Sequence, residues 1–305
     1  MAISFDGQVA IVTGAGGGLG RSHALELAAR GAKVVVNDFG GAVDGSGGSS
    51  AAANAVVAEI EAAGGTAMAD GTDVTNLDSV DAMVAKVMDA WGRIDVLINN
   101  AGILRDKSFN NMEISDFQMV VDVHLMGSAN CTKAVWAIMR EQNYGRIVMT
   151  TSASGLYGNF GQANYGAAKM GVVGLMNTLV LEGRKNNIFI NTIAPVALTR
   201  MTEEIIPAEF HAMLEPESVT AGVVYLASDQ APTRNILCAG AGSFARAAIQ
   251  ESEGLHIGLD VSADDVAGNW DKISDLSSLQ EMNGASDQTQ KFIQQAAEAA
   301  QKKQD

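Results

Sequence analysis

Five short runs in this chain are rich in β-branched residues and apolar on both faces: "VAIVTG" (Val9–Gly14), "KVVVND" (Lys33–Asp38), "DVLINNAG" (Asp95–Gly102), "RIVMTTS" (Arg146–Ser152) and "IFINTIAP" (Ile188–Pro195). A strand that is apolar on both faces has to be covered on both faces. Parallel sheets wrapped by crossover helices meet that requirement. The stretches between the runs carry apolar residues at helical spacing: Arg21–Arg30, Ala51–Ala63, Leu77–Trp91, Ile114–Arg140 and Tyr165–Lys185. Strand and helix in alternation predict an α/β protein built on a doubly wound parallel sheet.

Two segments break that rhythm. "FGGAVDGSGGSS" (Phe39–Ser50) is Gly/Ser-rich and reads as a loop. Beyond about Gln250 the strand signals stop, and a polar, acidic stretch runs to an amphipathic helix candidate at Gln288–Lys303. The expected division is a single catalytic domain over 1–250 and a C-terminal extension over 251–305, packed through Trp270, Leu276 and Leu279. A formal net charge of −15 repels phosphate backbones and anionic headgroups, so nucleic acid and membrane are not expected partners. No apolar run reaches the roughly 18 residues of a spanning helix. The two cysteines, Cys131 and Cys238, form neither a disulfide framework nor a metal cluster, and no metal is expected. These features read as a soluble intracellular protein.

The run "TGAGGGLG" (Thr13–Gly20) closes the first strand and opens the first helix. It fits the spacing T-G-x-x-x-G-x-G through Gly14, Gly18 and Gly20, with Leu19 between the last two. Glycine there permits a tight turn and close backbone approach, and the helix N-terminus faces the pyrophosphate of a dinucleotide. Asp38 ends the second strand, 18 residues after Gly20. Its carboxylate can accept from both adenosine ribose hydroxyls and would repel a 2′-phosphate, so the expected cofactor is NAD rather than NADP.

With those residues in view, the chain resembles the short-chain dehydrogenase/reductase family from Phe5 to about Gly242, which implies a Rossmann-like fold. The resemblance implies that "DVT" lies against adenine through Asp73 and Val74. It also implies that Asn100, Ala101 and Gly102 of "NNAG" border the cofactor. Ser152, thirteen residues ahead of Tyr165, together with Lys169 matches the family's catalytic set. By that match Tyr165 exchanges the substrate proton, Lys169 favours the phenolate and holds the cofactor ribose, and Ser152 and Tyr165 bind the substrate oxygen. Ser154 competes with Ser152 on sequence alone; the spacing selects Ser152. A free tyrosine has a pKa near about 10, so a neighbouring cation is needed to bring it into use.

Two departures from the family pattern stand out. His124 in "VHLMG" occupies the place of the family's asparagine, and its side chain or carbonyl is expected to order a proton-relay water. In "APVALTRMT" (Ala194–Thr202) Pro195 is kept and Val196 replaces glycine, which makes Thr199, or else Thr202, the expected carboxamide partner.

"VVVNDFGG", "NNAGILRDKSF", "SASGLYGNFGQANY" and "EGRKNN" are similar to one branch of the family, the (3R)-hydroxyacyl-CoA dehydrogenase units of peroxisomal multifunctional enzymes. That branch implies an NAD-dependent oxidoreductase acting on (3R)-3-hydroxyacyl-CoA, here as a stand-alone unit. A 17β-hydroxysteroid or other secondary alcohol, including a steroid-CoA, is the alternative substrate. A non-catalytic nucleotide-binding protein is the remote one. Arg105, Lys107 and Arg200 are candidate contacts for coenzyme A phosphates, and Glu203–Pro216 is a candidate apolar lid. The family implies a homodimer or homotetramer through the helices at Ile114–Arg140 and Tyr165–Lys185. The ending "QKKQD" does not resemble a peroxisomal address, so the expected compartment is the cytoplasm.

Overall fold

A computed structural model describes residues 2–47, 49–199, 203 and 207–302. The chain divides into two compact units, 1–246 and 247–305. In the first, strands β1 (Val9–Thr13), β2 (Lys33–Asn37), β3 (Thr66–Asp70), β4 (Val96–Asn99), β5 (Gly145–Thr150), β6 (Ile188–Val196), β7 (Ile236–Gly240) and β8 (Ser243–Ala247) form one sheet. The order is β3-β2-β1-β4-β5-β6-β7-β8. Neighbours from β3 through β7 pair in parallel. The order reverses at β1, between β2 and β4, which opens a crevice at the carboxyl ends of those strands.

Helices α1 (Gly18–Ala29), α2 (Ala51–Ala62), α3 (Leu77–Trp91), α4 (Ile114–Val121), α5 (Gly127–Gln142), α6 (Ala153–Tyr157), α7 (Ala163–Gly183) and α8 (Pro216–Leu226) connect the strands. The apolar runs explain the layers: β1, β4 and β5 are buried along their whole lengths. Each buried valine, leucine or isoleucine side chain contributes about 1.5–3 kcal/mol. The stretch expected as one helix from Ile114 is α4 and α5 joined by a π-helical turn, Asp122–Met126, with His124 inside it. Helix α3 opens at Asn76, whose side chain accepts from the Ser79 N–H, and ends at Gly92 in the left-handed region (φ 74°).

The second unit departs from expectation. The strand signal does not stop at Gln250: β9 (Glu251–Ser252) pairs antiparallel with β10 (Leu279–Gln280). Short helices α9 (Ala263–Gly268) and α10 (Trp270–Ile273) lie between them in sequence, and α11 (Ala285–Gln301) follows. Trp270, Leu276 and Leu279, expected to pack the extension, are exposed, Leu276 to 69%. No described residue of this unit is buried. Polar ties hold it instead. The Lys291 ammonium binds the Glu251 carboxylate and donates to the Ser252 carbonyl (2.9 Å), and a Ser262–Asp265 capping box starts α9. No helix among the described residues is long and apolar enough to cross a membrane.

Candidate active site

The crevice at the strand-order reversal is a cleft of about 770 Å³ in the first unit. Its floor begins with the loop from β1 to α1. Gly14 has φ +62°, and a Cβ there would stand 2.8 Å from the Ala101 Cα; a Cβ on Gly20 would stand 2.1 Å from the Gly14 carbonyl oxygen. Glycine is therefore required by space at Gly20 and by both space and conformation at Gly14. The loop is fastened to β4 through Thr13, whose Oγ1 accepts from the Asn100 and Ala101 amides at 3.0 Å each. The Asn100 side chain returns two bonds, donating Nδ2 to the carbonyls of Thr13 and Gly14 at 3.0 Å. Asn100, expected at the cofactor, thus reaches the cleft chiefly by fixing the glycine loop.

Asp38 faces the same loop. Its Oδ2 accepts from the Gly16 amide and its Oδ1 from the Gly40 amide, both at 2.7 Å. Each oxygen keeps a second lone pair, so acceptance of ribose hydroxyls is compatible with this geometry. Gly18, Leu19, Asp73, Val74, Gly102, Pro195 and Thr199 also line the cleft. Asp73 folds its own turn, accepting at Oδ1 from the Thr75 amide (2.9 Å) and hydroxyl (2.8 Å). A tight polar loop at a helix N-terminus, walled by glycines that a Cβ would block and faced by a carboxylate, fits a dinucleotide. The alternative Thr202 lies outside the described residues, as do Arg200, Ile205 and Ile206.

The Gly/Ser-rich insertion lines the cleft from the other side. It is tied to the segment after β4, where the Leu104 amide donates to the Val43 carbonyl (2.9 Å) and Arg105 Nε to the Asp44 carbonyl (2.9 Å). Arg105 also pairs with Asp116 of α4 at 3.0 Å, and Lys107 reaches the same carboxylate at 3.5 Å. Arg105 and Lys107, two of the three cations expected near coenzyme A phosphates, thus share one carboxylate. The described part of the proposed lid is a 3-10 turn, Ala208–Met213, with Phe210 and Met213 exposed.

Ser152, Tyr165 and Lys169 converge on the cleft. Ser152 is the N-cap of α6 and accepts at Oγ from the Ser154 amide (3.2 Å). Tyr165 and Lys169 share one face of α7, with the ammonium 5.4 Å from the phenol ring centre. Lys169 is buried and donates to the Thr150 carbonyl at 2.6 Å, while Thr151 Oγ1 donates to the Lys169 carbonyl at 2.7 Å. These bonds pin α7 to the end of β5. Burial without a carboxylate partner lowers the Lys169 pKa to about 7. Tyr165 moves the other way. Burial raises its pKa above that of a free tyrosine, a hydrogen bond from Ser152 lowers it, and the Asp106 charge raises it. Without a cofactor the fold thus favours the protonated phenol.

His124 packs edge-on against Tyr165, with ring centres 5.0 Å apart at 88°. Its Nε2 lies 2.8 Å from the Ile103 carbonyl and 3.1 Å from the Ile103 amide, and Nδ1 is buried with no hydrogen-bond partner. Burial, and then the Lys169 charge, lowers its pKa well below the usual histidine value, so the ring is neutral. Its carbonyl, the other expected water ligand, accepts from Ser128 Oγ at 2.6 Å. The side chain therefore steadies the backbone after β4 and the face of Tyr165.

Sequence reasoning passed over Asp106, Asn159 and Gln162 beside this set. Gln162 is buried three residues before Tyr165, and it bonds Ser154, Asn159 and Asp106. A buried amide in a loop between helices carries no periodic signal; its place in "GNFGQANY" was the only pointer.

A profile of the family described as short chain dehydrogenase matches residues 8–209. Among curated relatives, peroxisomal multifunctional enzyme A of Dictyostelium discoideum is 49% identical over 277 residues, covering 90% of this chain and 61% of its own. Among solved structures, full-length peroxisomal multifunctional enzyme type 2 from Drosophila melanogaster superposes with a TM-score of 0.79 at 39% identity. That match covers 96% of this chain and 50% of the other. A 7α-hydroxysteroid dehydrogenase complexed with NADH and 7-oxo glycochenodeoxycholic acid gives a TM-score of 0.71 at 28% identity, covering 79% and 95%. The chain spans only about half to six-tenths of the two multifunctional relatives.

Proposed function

The chain belongs to the short-chain dehydrogenase family and is an oxidoreductase, and from that premise we propose that it interconverts (3R)-3-hydroxyacyl-CoA and 3-oxoacyl-CoA with NAD. The observation that carries the reading is Ser152, Tyr165 and Lys169 meeting in the cleft that the glycine loop and Asp38 share. The NADH held by the 7α-hydroxysteroid dehydrogenase supports a nicotinamide dinucleotide, and the Asp38 carboxylate favours NAD over its 2′-phosphorylated form. The acyl-CoA substrate rests on the resemblance of "NNAGILRDKSF" and "SASGLYGNFGQANY" to (3R)-hydroxyacyl-CoA dehydrogenase units, and the likeness to peroxisomal multifunctional enzymes agrees with it.

Gly14, Gly18 and Gly20 would admit the pyrophosphate, Asp38 the adenosine ribose, and Thr199 with Pro195 the carboxamide end. A nicotinamide dinucleotide held there would supply the acceptor for the hydride released from the carbinol carbon. Tyr165 Oη accepts the hydroxyl proton as that hydride leaves, and returns it in reduction. Ser152 donates to the substrate oxygen and fixes its distance from Tyr165. Lys169, with its pKa near about 7, supplies positive charge beside the phenol when protonated. The cofactor's own charge adds to it, offsetting the burial that holds the phenol protonated.

The steroid-dehydrogenase likeness supports a second substrate reading, a free secondary alcohol on a sterol. NADH appearance at 340 nm, measured with (3R)- and (3S)-3-hydroxyacyl-CoA and with a hydroxysteroid, separates the two. Turnover confined to the (3R)-thioester is expected. Turnover of the free steroid without the thioester would replace the first reading with the second.

A further inference from the structure

Two serines, Ser152 and Ser154, line the cleft near Tyr165, and hydroxyl protons alone decide which one can donate to a substrate oxygen. The hydrogen bonds around Gln162 settle their direction. Gln162 Nε2 donates to Asp106 Oδ2 at 2.6 Å. A carboxylate only accepts, so the nitrogen of the amide must face Asp106 and the oxygen must face the other way. That oxygen accepts from Ser154 Oγ at 2.7 Å and from Asn159 Nδ2 at 3.0 Å. An amide oxygen cannot donate, so the single proton of Ser154 is committed to Gln162. Ser152 is arranged oppositely: its Oγ accepts from the Ser154 amide, and its proton is directed at the Tyr165 phenol, inside the site.

The same segments brace the turn that carries Tyr165. The Lys107 amide donates to the Gly161 carbonyl (2.9 Å), and Asn164 Nδ2 donates to the Arg105 carbonyl (3.0 Å). Asp106 stands at the exposed end of this chain of bonds, and Gln162 is buried at its centre.

We propose that Asp106 and Gln162 are positioning residues: they commit the Ser154 proton, leave Ser152 as the one serine of the pair able to donate to the substrate, and keep a negative charge beside the turn that carries Tyr165. The inference rests on the reading of Tyr165 as the proton-transfer residue. The charged or titratable groups facing that phenol are Asp106 from the segment after β4, His124 from the π-helical turn and Lys169 from its own helix. Of these, Asp106 is the one whose anionic charge disfavours phenolate.

Two measurements test it. Ser152→Ala loses its donor, and in Ser152→Ala/Gln162→Leu the Ser154 proton is released, so the double variant should turn over about tenfold faster than Ser152→Ala, roughly the effect of one restored hydrogen bond to the transition state. The KM for NAD should stay the same in both. A part that merely supports the fold would give a slower double variant. The second readout needs no substrate. Phenolate absorbance, taken as wild type minus Tyr165→Phe and as Asp106→Asn minus Asp106→Asn/Tyr165→Phe, isolates Tyr165 from the other three tyrosines. Asp106→Asn, which keeps the side-chain shape, should move that titration to lower pH, modestly because Asp106 is exposed. Absence of recovery in the double variant overturns the relay, as does a Tyr165 titration that Asp106→Asn leaves in place. If the wild type oxidises no secondary alcohol at all, the functional reading falls, and the titration alone then decides the relay.

Discussion

Lys169 should destabilise the fold it serves, and replacing it tests how the site is built. The side chain is buried, its ammonium donates to the Thr150 carbonyl, and burial brings its pKa down to about 7 from the ordinary lysine value of 10.5. In the unfolded chain the lysine is protonated at neutral pH; in the fold it is about half deprotonated. Linkage with those two values makes its ionisation cost about 4 kcal/mol at pH 7 and about 1 kcal/mol at pH 9.5. The sign follows from proton counts: between pH 7 and 10.5 the unfolded chain binds more protons, so wild-type stability rises with pH. Lys169→Met keeps the length and apolar stem and removes the titration. It strands the Thr150 carbonyl, at a cost of about 1–3 kcal/mol. The variant should then be more stable than wild type by about 2 kcal/mol at pH 7, with the advantage reduced by about 3 kcal/mol at pH 9.5. Urea unfolding followed by circular dichroism at both pH values, without cofactor, measures it, and the variant should have no dehydrogenase activity. A variant less stable at pH 7, or a gap that does not change with pH, would refute the reasoning.

The remaining predictions concern the loop, the helix packing and the insertion. Gly20→Ala places a methyl 2.1 Å from the Gly14 carbonyl oxygen, so it should cost about 3 kcal/mol in thermal or urea unfolding and abolish NAD binding measured by fluorescence. His23 is buried between α1 and α8, with Nδ1 2.8 Å from Thr220 Oγ1, and burial lowers its pKa to about 3. Below its unfolded pKa of about 6.5 the unfolded chain takes up a proton that the fold refuses. Wild type should therefore lose about 2 kcal/mol from this group between pH 7.5 and 5, and His23→Asn should show a correspondingly flatter acid limb. Arg105→Met removes the tie to the Asp44 carbonyl and the pair with Asp116. It should raise the KM for NAD about fivefold, the equivalent of about 1 kcal/mol, with little change in kcat.

What the sequence made legible follows from what periodicity and spacing encode. The strands buried on both faces announced themselves, since β1, β4 and β5 have no polar side to interrupt the apolar run. Strand β3, "TAMAD", escaped because it lies at the sheet edge and buries none of its residues fully. Strand β8, "SFARA", is almost wholly exposed and leaves no alternation to find. The π-helical turn at His124 was hidden because it alters the helix by a single hydrogen-bond step within one continuous helical pattern. Spacing placed Tyr165 and Lys169 together, since i and i+4 share a helix face, and the family resemblance added Ser152. It could not show that Asp116 engages Arg105 and Lys107, that His124 turns toward Ile103, or that Gln162 links Asp106 to Ser154. Those are contacts between segments, set by how loops meet at the end of the sheet.

The central claim is that Tyr165 transfers the proton in an NAD-linked oxidation. Single-turnover NADH formation from a (3R)-3-hydroxyacyl-CoA, compared between wild type and Tyr165→Phe with NAD binding measured on both, tests it most directly. The account predicts that the variant binds NAD as wild type does while its rate falls by about 10²–10⁴. A variant that binds NAD and still turns over within about tenfold of wild type would contradict it.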